Sequence, residues 1–284
     1  MKVLVLGVSG MLGNAVFRVL GAGPGIDVSG TARSGAVARQ LPEALRDRIV
    51  SGIDVENFDS LARAFAATRP DAVVNCIGLV KQLAEADDAL AAIPINSLLP
   101  HRLARLCEVA GARLVHVSTD CVFAGTRGMY AEDDPADAQD LYGRSKHLGE
   151  VRYPHTVTLR TSIIGHELAS AHGLIGWFLS QPGPVRGFTR AVFSGLPTVE
   201  LATVIRDRVL PDAGLSGLYH VAAAPIAKHD LLKLVAARYG KTIRIDPDDS
   251  VVIDRSLDGS RFSRATGYVA PPWDELVRRM HAFG

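Results

Sequence analysis

Tyr142 and Lys146 stand four residues apart in the run Tyr142-Gly143-Arg144-Ser145-Lys146. On a helix this spacing puts both side chains on one face, one turn from each other. A phenol with a pKa near 10 is a poor base at neutral pH but a usable proton donor. An ammonium group one turn away favours the phenolate and lowers that pKa. A change of about three units corresponds to roughly 4 kcal/mol of differential interaction. Such a tyrosine can protonate a carbonyl oxygen while a hydride arrives at the carbon. The spacing alone also occurs in ordinary surface helices, so its meaning depends on what surrounds it.

A second group of polar residues closes an apolar run, Val115-His116-Val117-Ser118-Thr119-Asp120-Cys121. Hydroxyls at the carboxyl end of a strand lie where open α/β sheets bind ligands. Ser118 or Thr119 there would hydrogen-bond a substrate carbonyl and make it a better hydride acceptor. The alternative is a turn whose side chains cap backbone groups. Asn75 precedes Cys76-Ile77-Gly78, where a small residue lets a ring or a phosphate pass close to the backbone. Asn96 is read as the opening of the next helix, with an N-cap role.

The N-terminus suggests what the ligand is. Lys2 to Leu6 is a short aliphatic run of the buried parallel type, followed by Gly7-Val8-Ser9-Gly10-Met11-Leu12-Gly13 and an amphipathic stretch. Glycines at a strand-to-helix turn permit positive φ and close backbone approach, and the helix N-terminus offers N–H groups to a pyrophosphate. The glycines are spaced by three, unlike the fingerprint whose first two glycines are two apart. The second strand ends at Arg33, where an arginine accommodates a 2′-phosphate and so points to NADPH, with NADH possible; a solvated loop arginine is the other reading. Asp54, after the third strand, would accept the adenine amino group or cap the helix beginning near Glu56.

The elements that must position these groups alternate. Strands are expected at Lys2–Leu6, Asp27–Ala32, Arg48–Gly52, Ala72–Ile77, Arg113–Ser118 and Thr156–Arg160. Helices are expected at Met11–Leu20, Gly35–Gln40, Phe58–Thr68, Leu98–Ala110 and Leu141–Arg152. This order implies βαβ crossovers and a parallel sheet. Beyond Arg160 the pattern loosens. A helix at Ile175–Leu179, Ala191–Ser194, a helix at Val199–Leu210 and a strand at Gly217–Val221 follow. Then come a helix at Ile226–Tyr239, the segment Thr242–Asp246, a solvated turn at Asp246-Pro247-Asp248-Asp249 and an amphipathic helix at Trp273–Phe283. The fold class is therefore α/β: a Rossmann-like, doubly wound parallel sheet over residues 1–165 with a return segment at about 190–222. Residues 166–189 and 223–284 form a small C-terminal α/β substrate domain.

Composition bounds the function. With 284 residues, 48% hydrophobic, 21% charged and a formal net charge of +1, nothing points to a nucleic-acid polymer or an anionic membrane as partner. No apolar run approaches the ~20 residues of a membrane span. The start is too short for a signal peptide and runs into the glycine turn. Cys76, Cys107 and Cys121 form neither a disulfide framework nor a metal-ligand spacing, and the histidines form no metal cluster, so a cytoplasmic protein without a catalytic metal is expected.

Gly7-x-x-Gly10-x-x-Gly13, Ser118-Thr119-Asp120 and Tyr142-x-x-x-Lys146 together resemble the extended short-chain dehydrogenases/reductases. Ser118 to Gly125, Tyr142 to Lys146, Arg160-Thr161-Ser162, Ser260-Arg261-Phe262 and Gly267-Tyr268 resemble more closely the dTDP-4-dehydrorhamnose reductases. The resemblance spans nearly the whole chain. It implies that Thr119 binds the substrate carbonyl, Tyr142 donates the proton, and Lys146 tunes Tyr142 and holds the nicotinamide ribose. It implies further that Gly7, Gly10, Met11, Leu12 and Gly13 surround the pyrophosphate, Asp54 and Val55 meet the adenine, and Cys76, Ile77, Gly78 and Ser118 line the cofactor. Asp120, Cys121 and Ile163 would face the sugar. Cys121 and Ile163 depart from the family, which commonly carries a tyrosine and a tryptophan there.

The expected activity is NADPH-dependent reduction of the 4-keto group of a nucleotide-activated 6-deoxy sugar, feeding cell-surface polysaccharide synthesis, by a monomer or homodimer. The alternatives are reduction of a UDP-linked N-acetylated 4-keto-6-deoxy sugar, a nucleotide-sugar epimerase that retains its cofactor, and a non-catalytic NADP(H)-binding subunit.

Overall fold

In the computed structural model, which describes residues 1–81, 84–168, 171 and 173–284, the aliphatic runs form one parallel sheet. Its strands are β1 (Lys2–Leu6), β2 (Asp27–Ala32), β3 (Ile49–Ser51), β4 (Ala72–Asn75), β5 (Arg113–Thr119) and β6 (Thr156–Thr161), joined at the far edge by Gly217–His220. The spatial order is β3-β2-β1-β4-β5-β6 followed by Gly217–His220, every neighbour parallel. Val3 to Leu6 and all of β4 are buried, as strands covered on both faces must be. The order reverses between β1 and β4, and that crevice at the carboxyl strand ends is where such sheets bind ligands.

The glycine turn assigns different work to each of its glycines. Gly7 has φ +85°, which a side chain rarely tolerates. Gly13 packs so closely that a Cβ there would stand 2.0 Å from the Gly7 carbonyl oxygen. Gly10 is exposed, caps the first helix (Met11–Gly21), and would meet nothing closer than 3.5 Å. That helix is buried nearly all round, Asn14, Ala15 and Phe17 included, because a second helix, Thr198–Val204, covers the side that faces away from the sheet.

The C-terminal part is a set of short pairings. Ile163–Ile164 pairs with Leu196–Pro197, and Ala191–Phe193 lies between Ile226–Ala227 and Ile253–Asp254. Ile245–Asp248 runs parallel to Val185–Phe188, so the Asp246-Pro247-Asp248-Asp249 run read as a solvated turn is mostly strand. Proline survives there because a two-stranded pair leaves it at an edge. Ser260–Thr266 is a helix that the sequence pattern did not suggest. The expected helix at Leu98–Ala110 begins earlier, with Ala89–Ala92 and a wider π-helical turn at Ile93–Leu98 ahead of Leu99–Ala110. Asn96 is therefore inside a helix and not its cap. The tyrosine–lysine helix spans Leu141–Leu148, four residues short of Arg152, and ends at Gly149. One apolar cluster runs without a break from Val5 and Phe17 of the sheet side to Phe193, Leu231 and Leu276 of the C-terminal part.

A buried ion pair ties the tyrosine–lysine helix to the sheet. Glu150 follows the helix, and its side chain is 3% exposed against 1% for Arg160 on β6. Arg160 donates to both carboxylate oxygens, Nε to Oε1 at 2.6 Å and Nη2 to Oε2 at 2.7 Å, and Ser118 Oγ on β5 donates to Oε1 at 2.8 Å. Burial pushes the Glu150 carboxyl up, but the bonds from Arg160, His147 and Ser118 outweigh it and hold it down at about 2. The guanidinium also lies 5.1 Å over the Phe123 ring and bonds to His220 Nε2 at 3.3 Å. His220 Nδ1 donates to the Tyr130 carbonyl, and burial lowers its pKa to about 4, so the ring is neutral and its Nε2 accepts from Arg160.

Two stability predictions follow from these contacts. Gly13→Ala forces backbone apart and is expected to cost about 1–3 kcal/mol in a denaturant titration. Gly183→Ala, with nothing within 4 Å and no positive φ, stays within ~0.5 kcal/mol. Arg160→Met strands the Glu150 carboxylate and is expected to cost about 3–5 kcal/mol at pH 7. Because the folded pKa of Glu150 is depressed, the pair's contribution is complete above the ordinary glutamate value and fades as pH falls toward about 2. The Arg160→Met deficit should therefore shrink in acid; a deficit of the same size at low pH would contradict this.

Candidate active site

The tyrosine–lysine helix is set against the end of β5 by two close contacts. Asp140 caps it, accepting from the Gly143 amide at 2.8 Å, and is itself paired with Lys81 at 2.9 Å. A Cβ at Gly143 would lie 2.3 Å from the Cys121 carbonyl oxygen, so only glycine lets this turn of helix touch the strand end. Gly149 plays the same part at the other end, where a Cβ would lie 2.0 Å from the Asn96 carbonyl oxygen. Asn96 bridges the two walls: its Nδ2 donates to Ser145 Oγ at 3.2 Å and to the Leu79 carbonyl, while its Oδ1 accepts from the Leu79 amide at 2.9 Å.

Lys146 is buried and donates to the Val117 carbonyl of β5 at 2.9 Å. Burial lowers its pKa to about 8, against the pull of Glu150. Tyr142 is half-buried, and desolvation of the phenol raises its pKa, with Cys121, Asp120 and Asp140 adding to the rise and a hydrogen bond with Thr119 opposing it. The expected lowering by Lys146 is absent. The ammonium is turned to a backbone carbonyl, and burial dominates. Thr119 is buried; its Oγ1 accepts from the Cys121 amide at 3.1 Å and donates to Asp120 Oδ1 at 3.2 Å. The cap reading of this turn thus holds together with proximity to Tyr142. Ser118 faces the other way and spends its proton on Glu150.

The nucleotide-binding candidates line the same strand ends. A Cβ on Gly7 would stand 2.7 Å from Ile77 Cγ1, so the glycine turn abuts Cys76 and Ile77. The Ile77 amide is held by Asn75 Oδ1 at 3.1 Å. A Cβ on Gly78 would stand 3.7 Å from Lys146 Nζ, which joins the cofactor side to the tyrosine–lysine helix. Arg33 is exposed at the end of β2, without a protein partner among the described residues. Asp54 is exposed beyond β3 and accepts from the Glu56 amide; the cap of the next helix is Asn57, so the capping role considered for Asp54 falls away. Val55 is half-buried beside it. Ile163 packs on the large apolar core from its short strand after β6.

Three participants escaped the sequence reading. Glu150 forms its pair across ten residues with no pattern to announce it. Arg255 arrives from the C-terminal part, donating Nε to the Phe123 carbonyl at 2.7 Å and approaching Cys121 Sγ at 3.9 Å. Lys228 acts electrostatically on Asp120 from the start of its helix. Burial raises the Cys121 thiol to about 12, so it is a neutral wall and not a nucleophile. A cavity of about 180 Å³ lies on the other side of the glycine turn, touching it through Met11 and lined also by Asn14, Arg18, His166 and Thr198; Thr119, Tyr142 and Lys146 are outside its walls. Among the described residues no group of three His, Cys, Asp or Glu side chains is arranged to hold a metal ion.

Comparison with known proteins gives the family and supports the fold. The model of the family described as RmlD substrate binding domain matches residues 1–281. A probable low-salt glycan biosynthesis reductase, Agl14, of Haloferax volcanii is 31% identical over 235 residues, covering 78% of this chain and 75% of that one. A dTDP-4-dehydrorhamnose reductase of Burkholderia thailandensis is 30% identical over 240 residues, covering 79% and 73%. The crystal structure of dTDP-4-dehydrorhamnose reductase from Bacillus anthracis in complex with NADP superposes with a TM-score of 0.82 at 18% identity, over 100% of this chain and 98% of that one. The Bordetella bronchiseptica enzyme WbmG, solved with NAD and UDP, gives 0.80 at 20% identity over 100% and 94%. The structural likenesses speak for the fold, and the family model together with the two relatives places the sequence: the chain belongs to the RmlD substrate-binding-domain family.

Proposed function

We propose that the protein is a cytoplasmic NADPH-dependent reductase of the 4-keto group of a nucleotide-activated 6-deoxy sugar. The observation that carries this reading is Gly78, where an added Cβ would stand 3.7 Å from Lys146 Nζ, so that the strand end beside the glycine turn meets the helix that also carries Tyr142. The residues present fit a dinucleotide: Gly10, Met11 and Leu12 offer the helix N-terminus to a pyrophosphate, Gly78 leaves room for a ring, and Arg33 is free to meet a 2′-phosphate. A bound reduced nicotinamide would supply the hydride. Tyr142 then delivers a proton to the ketone oxygen, Thr119 orients that oxygen, and Lys146 brings positive charge to the same face of the helix, one turn on. The relatives named as a glycan biosynthesis reductase and a dTDP-4-dehydrorhamnose reductase favour this chemistry over an epimerase or a silent subunit.

The substrate-binding unit in this reading is 166–189 with 223–284, closing over a nucleotide-binding unit of 1–165 with 190–222. Arg255 and Lys228 bring positive charge from it toward the Asp120 end of the crevice. A second reading, a UDP-linked sugar with a C2 N-acetyl group, is favoured by Cys121 and Ile163, which leave more room than two aromatics and less stacking area. Aromatic contacts of that kind are worth about 0.5–1.5 kcal/mol beyond area burial. Comparing kcat/KM for the dTDP and UDP-N-acetyl sugars decides between them, and a preference of more than about tenfold for the dTDP sugar returns the assignment to the first.

Tyr142→Phe is expected to bind NADPH normally while turnover falls by about 10²–10⁴-fold; near-normal kcat would sink the mechanism. Arg33→Ala is expected to remove most of the preference for NADPH over NADH, about 1.5–3 kcal/mol or roughly ten- to hundredfold in Kd. Equal affinity of the wild type for both cofactors would refute the role of Arg33.

A further inference from the structure

We infer that Asp120 is a positioning residue whose protonation decides whether Thr119 can present its proton to the ketone. This rests on the reductase reading and adds to it a control that acts through one hydroxyl.

The argument is an inventory of the Thr119 hydroxyl, which has one proton and two lone pairs. One lone pair takes the Cys121 amide at 3.1 Å. The proton goes to Asp120 Oδ1 at 3.2 Å. The Tyr142 phenol neighbours the same hydroxyl, which opposes the burial-driven rise of its pKa. With its proton spent on Asp120, Thr119 can only accept from any further neighbour, on its second lone pair. In that state Thr119 has no proton left for a substrate, and a phenol that turned to its open lone pair would spend its own proton there. An ionised carboxylate, which only accepts, enforces this direction. A protonated Asp120 reverses it. Its O–H donates to Thr119, the two Thr119 lone pairs are filled by Asp120 and the Cys121 amide, and the Thr119 proton is turned outward to the ketone oxygen, with no lone pair left to draw the Tyr142 proton away.

In the reduction the hydride from NADPH forms the new C–H bond, the C=O π pair becomes the O–H bond to the Tyr142 proton, and Tyr142 is left as phenolate to be reprotonated from solvent. Asp120 keeps its proton throughout. The groups facing Asp120 are Thr119 and Cys121 on its own turn, Tyr142 from the tyrosine–lysine helix, Arg255 from beyond the Ile253–Asp254 strand and Lys228 from the Lys228–Tyr239 helix. The carboxyl is 7% exposed as a residue, and this burial raises its pKa against the opposing pull of Arg255, the two hydrogen bonds and Lys228. Ionised Asp120 also makes the phenol a weaker acid, which works in the same direction.

The test is calorimetry in two buffers of different ionisation enthalpy. The protein saturated with NADP⁺, which has no hydride to give, is titrated with the dTDP-4-keto-6-deoxy sugar between about pH 6 and pH 9. Binding is expected to take up to one proton per site, with uptake growing as pH rises through the Asp120 pKa. Asp120→Asn, whose amide donates to Thr119 at every pH, should bind without uptake, and its kcat/KM relative to the wild type should rise with pH by up to about tenfold per unit. Asp120→Ala removes the acceptor without adding a donor and should also lose the uptake, which covers a failure of the asparagine variant to fold. Unchanged uptake in both variants would assign the proton to Lys146 and overturn the proposal, as would a wild type that turns over normally with no uptake at all. A wild type that reduces no keto sugar overturns the reductase reading and this inference with it.

Discussion

The Glu150–Arg160 pair is the contact on which the geometry of the site depends. A buried ion pair contributes little net stability compared with apolar residues of the same volume, because both ions lose their hydration. What it contributes here is position. The bidentate fork admits one arrangement of the segment after the tyrosine–lysine helix relative to β6, and Ser118 ties the same carboxylate to β5. Two strands and a helix are thereby registered at the depth of the reactive hydroxyls. The Phe123 ring and His220 complete the box around the guanidinium, and His220 carries the connection to Tyr130 and Glu132, which belong to the loop over the sheet's far edge.

The two hydroxyl-bearing residues that end β5 do different things because of where alternation along the strand sends them. Ser118 and Thr119 are adjacent, so they point to opposite faces. One becomes part of the anchor and the other part of the reactive surface. The neighbouring glycines are equally divided. Gly143 and Gly149 exist for helix-to-backbone contact, Gly7 for a left-handed turn, and Gly10 and Gly78 stand where an added Cβ would make only ordinary contacts.

Much of this was legible in the sequence, and the limits have physical causes. β1, β2 and the helices Phe58–Thr68 and Trp273–Phe283 lie where expected because their apolar periodicity is strong and their ends carry glycine, proline or a capping asparagine. The short strands of the C-terminal part were mostly missed, since pairs of two to four residues have too little periodicity to register. The strand Ile245–Asp248 carries turn-forming residues and is held only by its partner Val185–Phe188. The wider turn at Ile93–Leu98 follows from tertiary contacts of Asn96 with Leu79 and Ser145, which no local preference encodes. The reactive pair was found by its spacing. The direction of the Tyr142 shift was not, because spacing says nothing about desolvation or about a lysine that turns to a carbonyl.

The burial of the first helix between the sheet and Thr198–Val204 has a consequence for how the chain is made. Its apolar flank, formed early in synthesis, has no permanent cover until a segment almost two hundred residues later leaves the ribosome. At about 5–20 residues per second that is a wait on the order of ten seconds or more. During that interval the nascent chain carries a sticky helix beside an unfinished sheet whose β5 edge still lacks β6. A slow codon run between β5 and Thr198 would lengthen the exposure without altering a single contact of the finished protein.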